Sequence, residues 1–420
     1  MLLLTHPTGN ANVRALLQGA LHAGVLGGYA TALGFADSGR RLASLPRGLT
    51  AELHRRSYDL PAESMWVRPQ REALRLFCRR LGLHGLSRHE SGWASVDAVY
   101  QDLDRHVASR LANWCRQRRV TTVYAYEDGA LATLTAARDL GLTAAYDLPI
   151  AYWQTGHALL AEEARRWPAW APTLLSTADS AQKLERKAAE LRAADVVVCP
   201  SAFVLESIPA PLRKGKRCVV AEFGSPAATS TAVPGRTSPE GRRLRFLFAG
   251  SMSQRKGLAD VFAAFAMLRR TDIELVVMGS PMMPMAFYRS HGCDFTYEPT
   301  RPHAEVLALM DRCDVLLLPS IVEGRALVQQ EAMSRGLPIV VTRNAGGEDL
   351  VREGETGFLV PIRSPEALAA RIAWLADHRR RLPEMSQQAR EMAGRYSWAA
   401  YAGKVMAAIA TSPGGWIQPA

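Results

Sequence analysis

Several signatures are missing from this 420-residue chain, and each absence removes a class of function. No GxxxxGK[ST] loop occurs, so the phosphate cradle of the P-loop nucleotidases is excluded. Gly9 follows the first strand-like stretch without a GxGxxG companion, which removes the dinucleotide fingerprint. The six cysteines, Cys78, Cys115, Cys199, Cys218, Cys293 and Cys313, include no CxxC pair. That dispersion argues against a zinc ribbon or a small disulfide scaffold, and a reducing cytoplasm is the simpler expectation. No window approaches eighteen uncharged apolar residues, so no spanning helix is expected. The opening MLLLTHPTGN lacks a basic n-region followed by a long apolar run and reads as a first strand, not a signal peptide. Neither a zinc finger nor an RNP signature accompanies the positive charge, so a nucleic-acid partner is not indicated.

What is present suits a globular protein of two domains. Hydrophobic residues make up 48% of the chain, enough for sizeable cores, and the length is comfortable for two of them. The net charge of +11 favours a phosphorylated substrate or an anionic membrane surface. Usage is rich in Arg and Ala and poor in Lys, which fits a GC-rich bacterial genome. Strand-like and helix-like segments alternate in both halves, which implies largely parallel sheets covered on both faces. Residues 1–225 carry the first alternation. A stretch loaded with Pro, Gly, Ser and Thr, 226–243, reads as a linker. A second alternation fills 244–395, and 396–420 forms a terminal helix and tail. Within the first half, residues 50 to 115 are mostly helical in pattern, rich in Arg and marked by Trp66, Trp93 and Trp114. Such side chains suit a membrane interface or a lipid-linked glycan as well as an ordinary folded surface.

The residues with chemical promise fall where strands run into loops. Strand Phe246–Phe248 leads into Gly250-Ser251-Met-Ser-Gln-Arg255-Lys256-Gly257, and a helix follows. A helix start offers unpaired amides and a positive dipole end, and Arg255 and Lys256 add charge where an anion would sit. The next apolar strand, Val315–Leu318, leads into Pro319-Ser320 and then Glu323-Gly324-Arg325-Ala326-Leu327, with Glu331 further on. A carboxylate accepts through two oxygens and matches vicinal hydroxyls, so one of Glu323 and Glu331 could hold a transferred sugar and the other a ribose. Together these features suggest a site for a nucleotide diphosphate joined to a polyhydroxylated group. Gly346-Gly347 permits close backbone approach after a further strand. In the first half, Gly9 and Asn10, Glu127 and Asp147 stand at strand ends and are candidate contacts across a cleft. Asp102-Leu103-Asp104 and the isolated His84, His89 and His157 carry little metal-binding weight, and no metal site is expected.

These motifs in this order resemble the retaining glycosyltransferases of family 4, the group 1 glycosyltransferases. The pieces that carry the likeness are FLFAGSMSQRKGLAD, DRCDVLLLPSIVEGRALVQQEAMSRGLPIVVT, GGEDLV and EGETGFLV. The resemblance spans 245 to 405 and implies a GT-B fold, an α/β architecture of two Rossmann-like domains facing across an interdomain cleft. It implies that Lys256 and Arg255 bind the donor diphosphate, Glu323 contacts the donor sugar and Glu331 holds the ribose. Gly250, Ser251, Gly257, Ser320, Gly324, Arg325, Ala326 and Leu327 would line the donor site. It further implies retention at the anomeric carbon, front-face attack assisted by the departing phosphate, a nucleotide diphosphate sugar as donor, and no cofactor or essential metal. The acceptor would be a glycan, lipid-linked glycan or small molecule, in bacterial polysaccharide or glycolipid synthesis, with the enzyme cytoplasmic or at the inner membrane face. A sugar-nucleotide epimerase or hydrolase, or a non-catalytic nucleotide-sugar binder, would use the same cradle. Three positions depart from the family pattern. Ser251 stands where arginine is common, Arg325-Ala326 replaces an aromatic-glycine pair, and Glu222-Phe223-Gly224-Ser225 replaces an asparagine-glycine-valine-aspartate stretch.

Overall fold

A computed structural model of the chain describes residues 1–36, 55–226 and 241–410. Residues 227–240 of the expected linker 226–243 lie outside the described residues, as does the tail after Ala410.

Two parallel sheets form the frame. In the first, seven strands run in the order Met65–Val67, Leu26–Thr31, Leu2–Thr5, Thr122–Tyr126, Thr143–Asp147, Val196–Cys199, Arg217–Val220. In the second, six strands run Thr296–Glu298, Ile273–Met278, Leu244–Ala249, Val315–Leu318, Ile339–Val341, Gly357–Leu359. Every ladder in both is parallel. Runs such as Val196-Val-Val-Cys199 and Val315-Leu-Leu-Leu318 are buried along their whole length. Continuous apolar runs of this kind are what a strand covered on both faces requires.

The second half keeps close to the pattern read from sequence. Strand Val315–Leu318 has the expected bounds, helix Leu258–Leu268 follows the basic loop as expected, and Ile339–Val341 is the further strand ahead of Gly346-Gly347. The first half differs at its edges. Residues 25–33 hold one strand, Leu26–Thr31. Its edge partner Met65–Val67 sits in the stretch expected to be helical. That segment has too few residues to display a period, and its place is set by the ladder it joins. The final helix Trp398–Ala410 returns to pack on Ala11–His22, with Gly19 leaving room for Ala402.

The two halves exchange hydrophobic groups. Trp170, from the first alternation, lies fully buried in the core of the six-stranded sheet. Ile321 and Val322, from the second, lie in the core of the seven-stranded one.

Candidate active site

A parallel sheet opens a crevice where adjacent strands send their connections to opposite sides. In the six-stranded sheet that point lies between Leu244–Ala249 and Val315–Leu318. The two loops singled out in the sequence leave from these strands, so topology brings the basic loop and the glutamate loop together.

Backbone contact fixes their separation. Gly257 sits at φ +78, and a Cβ there would lie 2.1 Å from the carbonyl oxygen of Pro319. Only glycine satisfies both the left-handed conformation and the close approach. The Ile321 amide donates to the Arg255 carbonyl at 2.9 Å, joining one loop to the other.

Three charged groups meet there. Arg255 Nη1 donates to Glu323 Oε1 at 2.5 Å and to the Val322 carbonyl at 3.0 Å. Lys256 Nζ pairs with the same Glu323 oxygen. Glu323 and Lys256 are largely buried, with side-chain exposures of 12% and 11%. Burial pushes the Glu323 carboxyl upward, but the fields of Lys256 and then Arg255 outweigh it, so the carboxyl is held below its ordinary value. Burial lowers the Lys256 ammonium, against the opposing pull of Glu323. The trio therefore has a largely desolvated carboxylate serving as counterion to two cations. Both cations are engaged by the carboxylate, so an anion binding here would compete with Glu323 for them.

Other polar residues lie on the same two loops and on the helix that follows. Ser320 is fully buried and its hydroxyl has no partner among the described residues, although its carbonyl accepts from Thr342. The Ser251 and Ser253 hydroxyls lie 3.2 Å apart beside Gly250. Helix Leu327–Ser334 follows Ala326 with no side chain capping its first turn. Glu331 stands one turn inside it, and its Oε1 lies 3.0 Å from His303 Nε2. Glu331 thus has its own partner, apart from the Arg255–Lys256–Glu323 cluster.

Arg325 requires a correction. It was expected among the donor contacts, but its guanidinium is buried and engaged by Gln330, the Gly346 carbonyl and both oxygens of Asp349. Its cation also lies 5.0 Å from the Tyr396 ring centroid. It braces the glutamate loop against 343–349 instead of reaching outward. Gly346 supports the same brace, since a Cβ there would meet the Gly324 carbonyl at 1.9 Å.

The candidates from the first half are placed at its own strand ends, and burial changes their roles. The Gly9 amide donates to His6 Nδ1 at 2.9 Å, as does that of Thr8 at 3.1 Å, so Gly9 closes a turn and has no free N–H to offer. Burial drives the His6 imidazole down to about 3, which keeps it a neutral acceptor. Asn10 is exposed at the start of Ala11–His22 and makes no side-chain cap. Glu127 is buried 3.5 Å from Lys187. Asp147 is buried too, and accepts from the Tyr124 hydroxyl at 2.7 Å.

These buried acids make stability depend on pH. Burial raises Asp147 to about 7, against the Tyr124 hydrogen bond, and raises Glu190 to about 8, against the Ala130 amide and Arg186. Both folded values lie above those of an unfolded chain, roughly 4. The folded protein then holds protons that the unfolded chain releases. This contribution is complete below about pH 4 and is lost as pH rises through about 7 to 8. The melting temperature should fall by several degrees between about pH 5 and 8. Asp147→Asn should flatten that slope, as followed by circular dichroism across the range.

Sequence reading missed a polar group that touches the basic loop from the other half. Helix Trp153–Arg166 buries Gly156, Leu160 and Glu163, spaced four and three apart. An acid at the third position of an apolar stripe was the available signal. Glu163 accepts from Gln254, the residue immediately before Arg255, at 2.7 Å. The glutamate loop is also pressed on the first half: Ser201 Oγ donates to the Gly324 carbonyl at 2.7 Å. A Cβ on Gly324 would lie 1.7 Å from the Pro149 carbonyl oxygen.

Two Rossmann-like sheets with a site on the loops of the second define the GT-B architecture, and solved structures agree. Sucrose-phosphate synthase from Thermosynechococcus elongatus superposes with a TM-score of 0.62 at 15% identity, covering 96% of each chain. Anabaena HepE in complex with UDP superposes with a TM-score of 0.60 at 14% identity, covering 96% of this chain and 98% of that one. Residues 234–392, about two-fifths of the chain, match the family Glycosyl transferases group 1. A D-inositol 3-phosphate glycosyltransferase of Corynebacterium glutamicum (strain R) is 32% identical over 171 residues, 38% of this chain and 41% of that protein. The putative colanic acid biosynthesis glycosyltransferase WcaL of Salmonella typhimurium is 44% identical over 79 residues, 17% and 20% of the two chains. The match to the Corynebacterium protein therefore spans about two-fifths of that relative's length.

Proposed function

We propose that the protein transfers a sugar, with retention, from a nucleotide diphosphate sugar to an acceptor hydroxyl. The observation that carries this reading is the meeting of Arg255, Lys256 and Glu323 at the switch point of the six-stranded sheet. In this reading the two cations hold the diphosphate and offset the charge that develops on it as the glycosidic bond breaks. Glu323 orients the sugar, Glu331 receives the ribose, and the Ser320 hydroxyl and the first amides after Ala326 complete the donor wall. Residues 1–225 supply the acceptor side and 244–395 the donor side. HepE, a GT-B neighbour solved with UDP, supports the donor class. A screen of nucleotide sugars against glycan, glycolipid and small acceptors, read by mass spectrometry with the anomeric configuration checked by NMR, should yield a retained glycoside. Free sugar or an epimerised nucleotide sugar as the sole product would overturn the assignment.

The acceptor is placed at a membrane surface in this proposal. No helix among the described residues is long and apolar enough to cross a bilayer. A patch at 77–96 nevertheless exposes Phe77, Leu81, Leu83, Leu86, Trp93 and Val96. Phe77 and Leu81 stand one turn apart on Gln70–Leu81, and the Ala94 amide donates to the Leu86 carbonyl, which keeps the two ends of the patch adjacent. Arg71 lies over Trp93 with its cation 4.6 Å from the ring centroid, and Arg80 and Arg88 are exposed nearby. Aromatic and aliphatic groups ringed by arginine suit an anionic interface. The protein should sediment with phosphatidylcholine vesicles that contain phosphatidylglycerol, and less with phosphatidylcholine alone. Phe77→Asp with Leu81→Asp should abolish that sedimentation, and equal sedimentation of this variant would remove the membrane from the proposal.

A further inference from the structure

The segment Trp153–Thr173 belongs by sequence to the first half, yet it lies against the basic loop of the second. Its helix, Trp153–Arg166, is followed by the short helix Pro168–Thr173. It is anchored at both ends. The carbonyl of Leu159 accepts from Arg363 at 2.9 Å, and the Trp170 ring packs within 5.0 Å of Phe287 and 5.6 Å of Tyr288, centroid to centroid.

The same segment grips one residue of the loop from two sides. Gln254 is fully buried. Its amide nitrogen donates to Glu163 at 2.7 Å and to Asp260 at 2.9 Å, and its amide oxygen accepts from the Ala259 backbone at 2.9 Å. Its own backbone N–H donates to the Thr173 hydroxyl at 3.1 Å. The side chain therefore has both donors and its acceptor used, and it admits one orientation. Glu163 is equally constrained: it is fully buried, one oxygen takes the Gln254 amide and the other takes Arg363 at 2.5 Å. A buried carboxylate is costly unless it is paired and hydrogen-bonded, so this group is held where those two donors converge.

Gln254 directly precedes Arg255 and Lys256, and its carbonyl accepts from the Gly257 amide at 2.9 Å. Its setting is transmitted to the cations through a single helical turn. We propose that Glu163 is a positioning residue for the diphosphate cradle: it acts through Gln254 and sets the basic loop from the opposite half of the molecule. The donor site then depends on a group that lies outside the family-matched segment, 234–392. This inference rests on the donor-site reading above. A loop fixed in this way keeps Arg255 and Lys256 arranged before the anion arrives, which spares the ordering cost on binding.

Glu163→Gln tests it with nearly unchanged shape. The substituted amide can accept from one neighbour but presents an N–H to the other, either Gln254 or Arg363. Glu162→Gln is the control: Glu162 lies 2.8 Å from the outer face of Arg363 and touches no loop group. Two measurements are made on the full-length chain. Hydrogen exchange follows the amides of Lys256 and Gly257, which are bonded to the Ser253 and Gln254 carbonyls. Calorimetry follows binding of UDP, GDP and ADP. Glu163→Gln should speed exchange at those two amides at least tenfold and weaken the preferred nucleotide by roughly ten- to a hundredfold, with donor KM raised more than kcat is lowered. Glu162→Gln should change neither. Unchanged exchange in Glu163→Gln, or faster exchange with unaltered nucleotide affinity, would overturn the inference. If the unsubstituted protein binds no nucleotide, the donor-site reading fails instead, and the exchange result still decides whether Glu163 holds the loop.

Discussion

Lys256→Ala should lower transfer by about two to three orders of magnitude, the usual loss when one well-placed group that stabilises developing negative charge is removed. Lys256 shares Glu323 Oε1 with Arg255, so the alanine leaves that carboxylate with a single counterion. Binding then weakens and the departing phosphate loses a compact, largely desolvated cation. Lys256→Arg should recover little, because a planar fork cannot occupy the place of a point charge enclosed beside Gly250, whose Cβ position lies 3.4 Å from the lysine Cε. The fold should survive, since the lysine's side-chain partner is Glu323 and no apolar core depends on it. Steady-state kinetics with a competent donor, alongside a thermal melt, checks both parts. Turnover within a few-fold of the unsubstituted protein would remove Lys256 from the reacting site.

Trp170→Ala should produce the largest loss of stability, about 3 to 5 kcal/mol for a buried aromatic truncated to alanine. The ring is fully buried against Phe262, Phe287, Tyr288 and His291, all carried by the second half. The cavity would open in the core of the six-stranded sheet, although the residue belongs to the first alternation. The melting transition should therefore shift as a whole. Differential scanning calorimetry checks this: a single lowered transition is expected, and a split into one unchanged and one lowered transition would contradict mutual support between the halves.

The sequence was most legible where each strand runs straight into a functional loop. Val315–Leu318 and Ile339–Val341 are buried runs closed by Pro, Ser, Thr or Asn, and Leu258–Leu268 opens right after a left-handed glycine. Local signals of this kind need no knowledge of distant neighbours. The basic loop and Glu323 could be paired because each follows an apolar strand, and the C-terminal ends of parallel strands share one edge of the sheet. Arg325 was misread for the opposite reason. Nothing near it in sequence indicates that Asp349 lies within 2.7 Å and draws the guanidinium inward. Gly9 likewise looked available until His6 was seen to take its amide. Glu163 and Trp170 were invisible as site-related residues because their partners lie some 90 to 200 positions away. The edge strand Met65–Val67 is too short to announce itself without the ladder it joins.

The exchange of Trp170 for Ile321 and Val322 bears on any attempt to recombine this protein with its relatives. Chimeras of two-domain transferases are conveniently cut at the connecting stretch, as if each half were a self-contained cartridge. Here such a cut would send Ile321 and Val322 into a foreign socket and leave an unfilled one where Trp170 belonged. A productive swap would carry residues 153–173 along with the donor half, and refit the surface that receives 319–324.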